Sequence, residues 1–402
     1  MKKALMLSSV ASMIDQFNMQ NINILMELGY EVHVACNFKE GNTSSKERVK
    51  EFQKELRALG VKVNDIPIPR SIYKIHRILK AYIEVKRLAS RGKYDIVHCH
   101  SPIGGVVARL AFRKERQKGT KVIYTAHGFH FYKGAPLLNW LIFYPIEKLC
   151  AKYTDCLITI NKEDYERARS RFKGNKLKVV HLPGIGIDVD KIENTKVDKE
   201  QLRKELRIPK GSKVILTVAE LSKRKNYECS LKAFAKLDLE NVVYVICGRG
   251  KYYDVLNNLI KKLNIENKVI FTGYRTDIHC ILHIADVFIF PSYQEGLPVA
   301  VMEAMAAGLP VICSNIRGNN ELVIDNEGGY LFSASDSNKL SQRMKMLLTD
   351  RKTCERMKNF NKNHIISCGI DNVNQRMKYL YDSVTGEKKQ VWSEEINGYC
   401  EK

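Results

Sequence analysis

Short β-branched and apolar runs alternate with longer amphipathic stretches along nearly the whole chain, and no other feature constrains its fold so strongly. Such alternation marks βαβ units, in which each parallel strand needs a helical crossover to reach the next. The pattern predicts strands near 3–8, 31–36, 61–66, 94–99, 121–125, 155–160 and 177–182 in the first half. In the second half it predicts strands near 213–219, 242–247, 268–272, 286–290 and 310–314, followed by helical stretches near 335–361 and 370–384. Between the halves, Pro183-Gly-Ile-Gly-Ile-Asp188 breaks the pattern with a proline and two glycines, as a linker does. The expectation is an α/β chain of two Rossmann-like domains, 1–185 and 186–365, whose parallel sheets face each other across a cleft. A helix at 366–385 is expected to return to the first domain, with a frayed tail at 386–402. Open parallel sheets bind ligands beyond the carboxyl ends of their strands, so function is sought in those loops.

With 402 residues and 45% hydrophobic content, the chain can fill two cores. Its 66 Lys and Arg against 44 Asp and Glu leave a formal charge of +22, unevenly spread. Residues 1–190 hold 33 basic and 18 acidic side chains (+15), and residues 191–402 hold 33 and 26 (+7). Nucleic-acid binding would suit the charge, but no RRM, zinc-finger or interleaved basic-aromatic motif supports it. The 11 cysteines are odd in number and form no CxxC pair, which argues against a disulfide scaffold or a zinc site and points to a reducing cytosol. The longest apolar run, near 137–146, is about half of a bilayer span and is broken by Asn139 and Pro145. A cytoplasmic protein, soluble or peripheral on the inner face of the cell membrane, is expected.

The most informative segment is Phe290-Pro-Ser-Tyr-Gln-Glu295-Gly-Leu-Pro-Val-Ala-Val-Met-Glu303-Ala-Met-Ala-Ala-Gly308-Leu-Pro310. It follows a buried strand and opens a helix at Pro298, which Gly308 and Pro310 then end. The N–H groups of Gly296, Leu297 and Val299 surround the helix N-terminus, a ready site for a diphosphate. At ~1.5 Å rise per residue, Glu295 and Glu303 stand roughly 10 Å apart along the axis, a separation that suits a sugar nucleotide.

Here the chain resembles the retaining glycosyltransferases of family 4, whose GT-B fold pairs two Rossmann-like domains. Two glutamates with seven residues between, then small residues and Gly-x-Pro-Val, are that family's signature, and the chain carries it complete. The resemblance implies a nucleoside-diphosphate sugar as co-substrate, with UDP the expected carrier, and neither cofactor nor metal. It implies that Glu295 orients the donor hexose and that Glu303 holds the ribose. Within the family the chain looks most like enzymes of capsule and exopolysaccharide assembly, whose acceptors are often sugars on a polyprenyl diphosphate.

Other constellations fit the same reading. Ala219-Glu-Leu-Ser-Lys-Arg224-Lys225-Asn226 follows a strand, and a lysine there can neutralise charge on a departing nucleoside diphosphate. The family offers an Arg and, five residues later, a Lys; this chain has Glu220 in the first position, keeps Lys225, and has Arg224 as a substitute phosphate ligand. Gly248, in Cys247-Gly-Arg-Gly250, permits close backbone approach to a nucleotide. Arg275 lies in Thr272-Gly-Tyr-Arg-Thr-Asp277, which matches the family loop beside the base. His127 ends a strand in Val122-Ile-Tyr-Thr-Ala-His-Gly128, where relatives carry a functional histidine; His98, His100 and His130 compete with it. His98 and His100 put two ring nitrogens on one strand face, too few for a metal, and no Asp-x-Asp accompanies them.

Two first-half segments concern the acceptor. In 71–92, Ile72, Ile75, Leu79 and Tyr82 recur at helical spacing as a stripe expected to pack on the sheet, while the surrounding Lys and Arg suit anionic lipid. The aromatic-rich 129–145 reads equally as a core helix or as a wall for a lipid-linked acceptor. The first strand runs into Ser8-Ser9-Val10-Ala11-Ser12, where many relatives have a glycine pair. The reading is a retaining hexosyltransferase with a lipid-linked or glycan acceptor; a nucleotide-sugar epimerase and a transferase for a soluble small acceptor are the alternatives.

Overall fold

The computed structural model describes residues 1–172 and 177–386. They divide into two compact units, Met1–Gly186 with the segment from Asp371, and Ile187–Ile370. The tail expected beyond Gly386 lies outside the described residues.

The first unit is built on seven parallel strands: β1 (Lys3–Val10), β2 (Glu31–Asn37), β3 (Lys62–Asp65), β4 (Ile96–His100), β5 (Lys121–Ala126), β6 (Cys156–Thr159) and β7 (Lys178–His181). Their order is β3-β2-β1-β4-β5-β6-β7. β1 and β4 sit at the centre with both faces covered, so Ala4–Leu7 form an apolar run and every residue of β4, His98 and His100 included, is buried. The helix Ile370–Thr385 packs Val373, Met377, Leu380 and Tyr381 into the core layer on one face. Residues 366–370, expected with that helix, stay with the second unit, where the Ile370 N–H donates to Ile187 O (2.8 Å).

On the other face lie the helices Ile75–Gly92, Pro102–Ala111 and Leu137–Ala151. Here the structure corrects three of the four residues of the expected stripe: Tyr82 packs on the core layer as expected, but Ile72 is 37% exposed. Ile78, Ala81, Tyr82, Val85, Leu88 and Ala89 turn inward, whereas Ile75 and Leu79 are 65% and 57% exposed. The inward set runs the helix's full length and includes two alanines that let it lie close; the set through Ile75 and Leu79 ends after two turns. The 129–145 segment splits in the same way, with Phe129 and Phe131 buried, Trp140, Phe143 and Tyr144 half-buried, and Leu137, Leu138 and Leu141 exposed.

The second unit has six parallel strands: β8 (Lys213–Val218), β9 (Val242–Cys247), β10 (Val269–Gly273), β11 (Val287–Phe290), β12 (Val311–Ser314) and β13 (Gly329–Phe332), in the order β10-β9-β8-β11-β12-β13. β13 was not expected from the sequence. Its four residues open with a glycine that reads as a turn, yet a side chain at Gly329 would meet Val311 O at 1.8 Å, so only glycine lets this strand pair with β12. The stretch near 335–361 is two helices, Ser337–Thr349 and Arg351–Ile365, with Asp350 capping the second.

Candidate active site

In the second unit the chain winds from β8 through β10 toward one edge of the sheet and from β11 through β13 toward the other. The carboxyl ends of β8 and β11 therefore flank the topological switch point, where open α/β sheets bind ligands. After β8 come a short 3-10 turn, Lys223–Lys225, then Asn226 and the helix Tyr227–Ala235. After β11, residues 291–298 lead into the helix Val299–Ala306, with Pro298 as its N-cap residue.

These two loops bring three of the predicted residues together. Lys225 Nζ lies 2.7 Å from Glu295 Oε1, and Arg224 Nη1 lies 3.0 Å from the same oxygen and 2.7 Å from Gln294 O. The Lys225 and Glu295 side chains are only 12% and 9% exposed, whereas Arg224 is 45% exposed. Lys225 Nζ also sits 4.5 Å from the Phe290 ring centroid. Burial lowers the Lys225 pKa, and the Glu295 carboxylate opposes that shift. Among the described residues, the N–H groups of Gly296, Leu297 and Val299 make no intramolecular hydrogen bond. Leu297 is buried as a side chain, so it has only its backbone to contribute. Unsatisfied N–H groups at a helix N-terminus next to two cations make an anion site.

The supports of this pair escaped the sequence reading. Asn226 takes a left-handed conformation (φ 54°), and its Nδ2 donates to Pro291 O (2.9 Å) and Ala334 O (2.8 Å), clamping the β8 loop to those after β11 and β13. Gly318 has φ 82°, and a side chain there would stand 2.2 Å from Gly296 O. Beside it, Arg317 Nε donates to Glu295 O (3.3 Å). The one available signal was Asn directly after Lys-Arg-Lys and before a helix, since Asn tolerates the left-handed region.

Other predicted residues are placed differently. Gly248 does permit close approach, but a side chain there would lie 1.9 Å from Ala219 O: the neighbour is the β8 loop's own backbone. The Arg275 guanidinium pairs with Asp277 (2.7 and 2.6 Å) and Glu205 (2.7 Å). Glu303, on the 299–306 helix, has its carboxylate 3.6 Å from His279 Nε2 and is 23% exposed. Glu220, which stands where the family has Arg, is exposed.

In the first unit His127 follows β5, half-buried, and shares a small cavity with Phe17, Asn18, His100, Thr125 and Asn374. Its Nε2 lies 3.2 Å from His100 Nδ1. On β4, His98 joins Tyr381 Oη (2.7 Å) to Thr125 Oγ1 (2.8 Å). Burial pulls His98 down to about 3 and His127 to about 4, and holds His100 well below the ordinary histidine value, so all three rings are neutral at pH 7.

Comparison with known proteins accounts for both units. Residues 22–190 match the family described as Glycosyltransferase Family 4, and residues 198–364 match that described as Glycosyl transferases group 1. EpsD of Bacillus subtilis (strain 168) is 36% identical over 360 residues, 89% of this chain and 90% of that protein. The Escherichia coli UDP-Gal:alpha-D-GlcNAc-diphosphoundecaprenol alpha-1,3-galactosyltransferase is 33% identical over 297 residues, 72% of this chain and 75% of that protein. The structure of Anabaena HepE in complex with UDP-glucose is alike in fold, with a TM-score of 0.75 over 95% of this chain and 100% of that one at 19% identity. With two parallel-sheet Rossmann-like units and these relatives, the chain belongs to glycosyltransferase family 4 and is a glycosyltransferase of the GT-B fold.

Proposed function

We propose that the chain transfers a hexose or N-acetylhexosamine from a UDP-linked donor to a lipid-linked or glycan acceptor in surface-polysaccharide assembly, with retention at the anomeric carbon and without a metal. The observation that carries this reading is the Lys225–Glu295 pair beside the open helix N-terminus at the β8–β11 switch point. Breaking the bond from the sugar C1 to the diphosphate leaves negative charge on UDP, the largest electrostatic demand of the reaction. Lys225, Arg224 and the N–H groups of Gly296, Leu297 and Val299 would meet it. As the diphosphate takes up Lys225, the Glu295 carboxylate becomes free to accept hydrogen bonds from the hexose hydroxyls. Glu303 would hold the ribose hydroxyls, and His127 is proposed as a hydrogen-bonding group for the transferred sugar. The acceptor oxygen bonds to C1 on the face the diphosphate leaves, and its proton passes to the departing phosphate oxygen. The UDP carrier and lipid-linked acceptor draw support from the E. coli relative's name, and the carrier also from the HepE complex.

Calorimetry with UDP- and GDP-sugars, followed by turnover with polyprenyl-diphosphate-linked acceptors and NMR of the product anomer, tests the proposal. A UDP-sugar should bind, and Glu303→Ala should weaken it at least tenfold with an unchanged melting temperature. Unchanged binding would remove Glu303 from the donor site, and rapid epimerisation without acceptor would replace transfer altogether.

A further inference from the structure

Alternate residues of β4 face opposite ways. Val97 and Cys99 enter one core layer, whereas His98 and His100 reach Tyr381 and Met6, which belong to the other. Three histidines meet there: the His100 ring centroid lies 4.2 Å from that of His98 and 5.5 Å from that of His127, at the end of β5. His98 and His100 are buried, and burial keeps all three rings neutral at pH 7. A neutral imidazole carries one ring proton, so one nitrogen donates and the other accepts. The reaction proposed above uses His127 and gives no part to the other two.

The partners of His100 decide which of its nitrogens holds the proton. His100 Nε2 lies 3.2 Å from Met6 Sδ, and a thioether has no proton to give, so Nε2 is the donor. His100 Nδ1 is therefore bare and accepts. It lies 3.2 Å from His127 Nε2, which must then carry the proton of the His127 ring. That leaves His127 Nδ1 bare, and among the described residues no group hydrogen-bonds to it. His98 does not compete for His100. Its Nδ1 and Nε2 meet Tyr381 Oη (2.7 Å) and Thr125 Oγ1 (2.8 Å), hydroxyls that can each donate or accept, so both His98 nitrogens are satisfied in either tautomer.

We infer that His100, itself set by Met6, is a positioning residue that fixes the His127 proton on Nε2, so that His127 offers a bare Nδ1 and accepts a hydrogen bond from a sugar hydroxyl. The inference rests on the reading of His127 as a hydrogen-bonding group for the transferred sugar. It builds in a preference, because fluorine in place of the contacted hydroxyl cannot donate. Among UDP-sugar analogues with one hydroxyl at a time replaced by fluorine, one should bind about fivefold more weakly, a loss that His127→Ala abolishes. Long-range 1H–15N NMR of the full chain labelled with 15N-histidine, at pH 7, reads the tautomers directly; spectra of His100→Leu and His127→Ala assign the signals. The unsubstituted chain should show His100 and His127 each in a single Nε2–H form. Met6→Leu keeps the core volume but removes the acceptor, and should add an Nδ1–H form of His127 and lower kcat about threefold. His100→Leu should do the same with a loss of about tenfold. His100→Asn, whose amide oxygen can still accept from His127 Nε2, should keep the single tautomer and most of the rate, a rescue that a merely structural role would not give. An Nδ1–H form of His127 in the unsubstituted chain, or a His127 tautomer unmoved in both Met6→Leu and His100→Leu, would overturn the inference. Undiminished transfer in His127→Ala would remove the sugar-contact reading and the inference with it, whereas lost transfer in His127→Ala beside an Nδ1–H form in the unsubstituted chain removes the inference alone.

Discussion

The two units wind their strands in the same order, so each has one switch point, between its first and fourth strands, yet the side chains gathered at the two points differ. Between β1 and β4 a side chain of the protein caps the start of the helix. Ser9 Oγ and Ser101 Oγ lie 2.7 Å apart, and Ser9 Oγ accepts from the Gly104 N–H (3.1 Å) in the first turn of the Pro102–Ala111 helix. Ser101 holds φ 66° to do this, and the nearby His98 and His100 are buried and neutral. Between β8 and β11 the helix N-terminus has no internal acceptor at Gly296, Leu297 or Val299 among the described residues, and two cations and a carboxylate converge beside it. A shared fold thus sets where an anion can bind. Whether one does depends on what the neighbouring side chains leave unsatisfied.

Breaking the charged switch point should have the largest effect. Lys225→Met should lower kcat by about 10²–10³, the range for removing one preorganised donor to a developing anion, with the fold intact by circular dichroism. A loss under threefold would move the leaving-group role elsewhere. Acid should then separate the units. His98 and His100 have folded-state pKa values below the 6.5 of an ordinary histidine, so the unfolded chain binds more protons between those values. Their contribution is fully present above pH 6.5 and is lost as pH falls, at about 2 kcal/mol by pH 5 for His98. Hydrogen exchange at pH 5 should show β4 and β5 opening before β8 and β11, and His98→Asn should reduce the difference. Simultaneous opening would contradict that asymmetry.

Smaller effects sharpen the contrast. Asn226→Ala loses one buried and one part-buried hydrogen bond and keeps a left-handed backbone, for a cost of about 2 kcal/mol in stability and a raised KM for the donor. In the uncharged switch point, Ser9→Ala should cost about 1 kcal/mol of stability by denaturant titration and leave donor KM unchanged. A change in donor KM there would show that the hydroxyl pair does more than satisfy the helix.

Much of this organisation is legible in the sequence because fully buried parallel strands write themselves as apolar runs. The Glu295–Glu303 segment stands out because its glycines and prolines mark both ends of a helix. β13 was hidden because its glycine serves pairing with β12, not a turn. In the expected stripe Ile72, Ile75, Leu79 and Tyr82, only Tyr82 packs on the core layer, because periodicity says that a face is apolar without saying which of two overlapping faces meets the core. The pairing of Arg275 with Glu205, seventy residues earlier in the chain, is a contact that no local pattern announces. Asn226 and Gly318 act through backbone shape and carbonyls of distant loops, which no spacing rule reveals.

The central claim is that the diphosphate of the donor is held at the β8–β11 switch point. Amide hydrogen exchange of the full chain with and without UDP tests it most directly. Protection should concentrate in residues 294–301 and 219–227, and Lys225→Met should reduce it. Protection confined to the loops after β1 and β4, or undiminished protection in Lys225→Met, would contradict the claim.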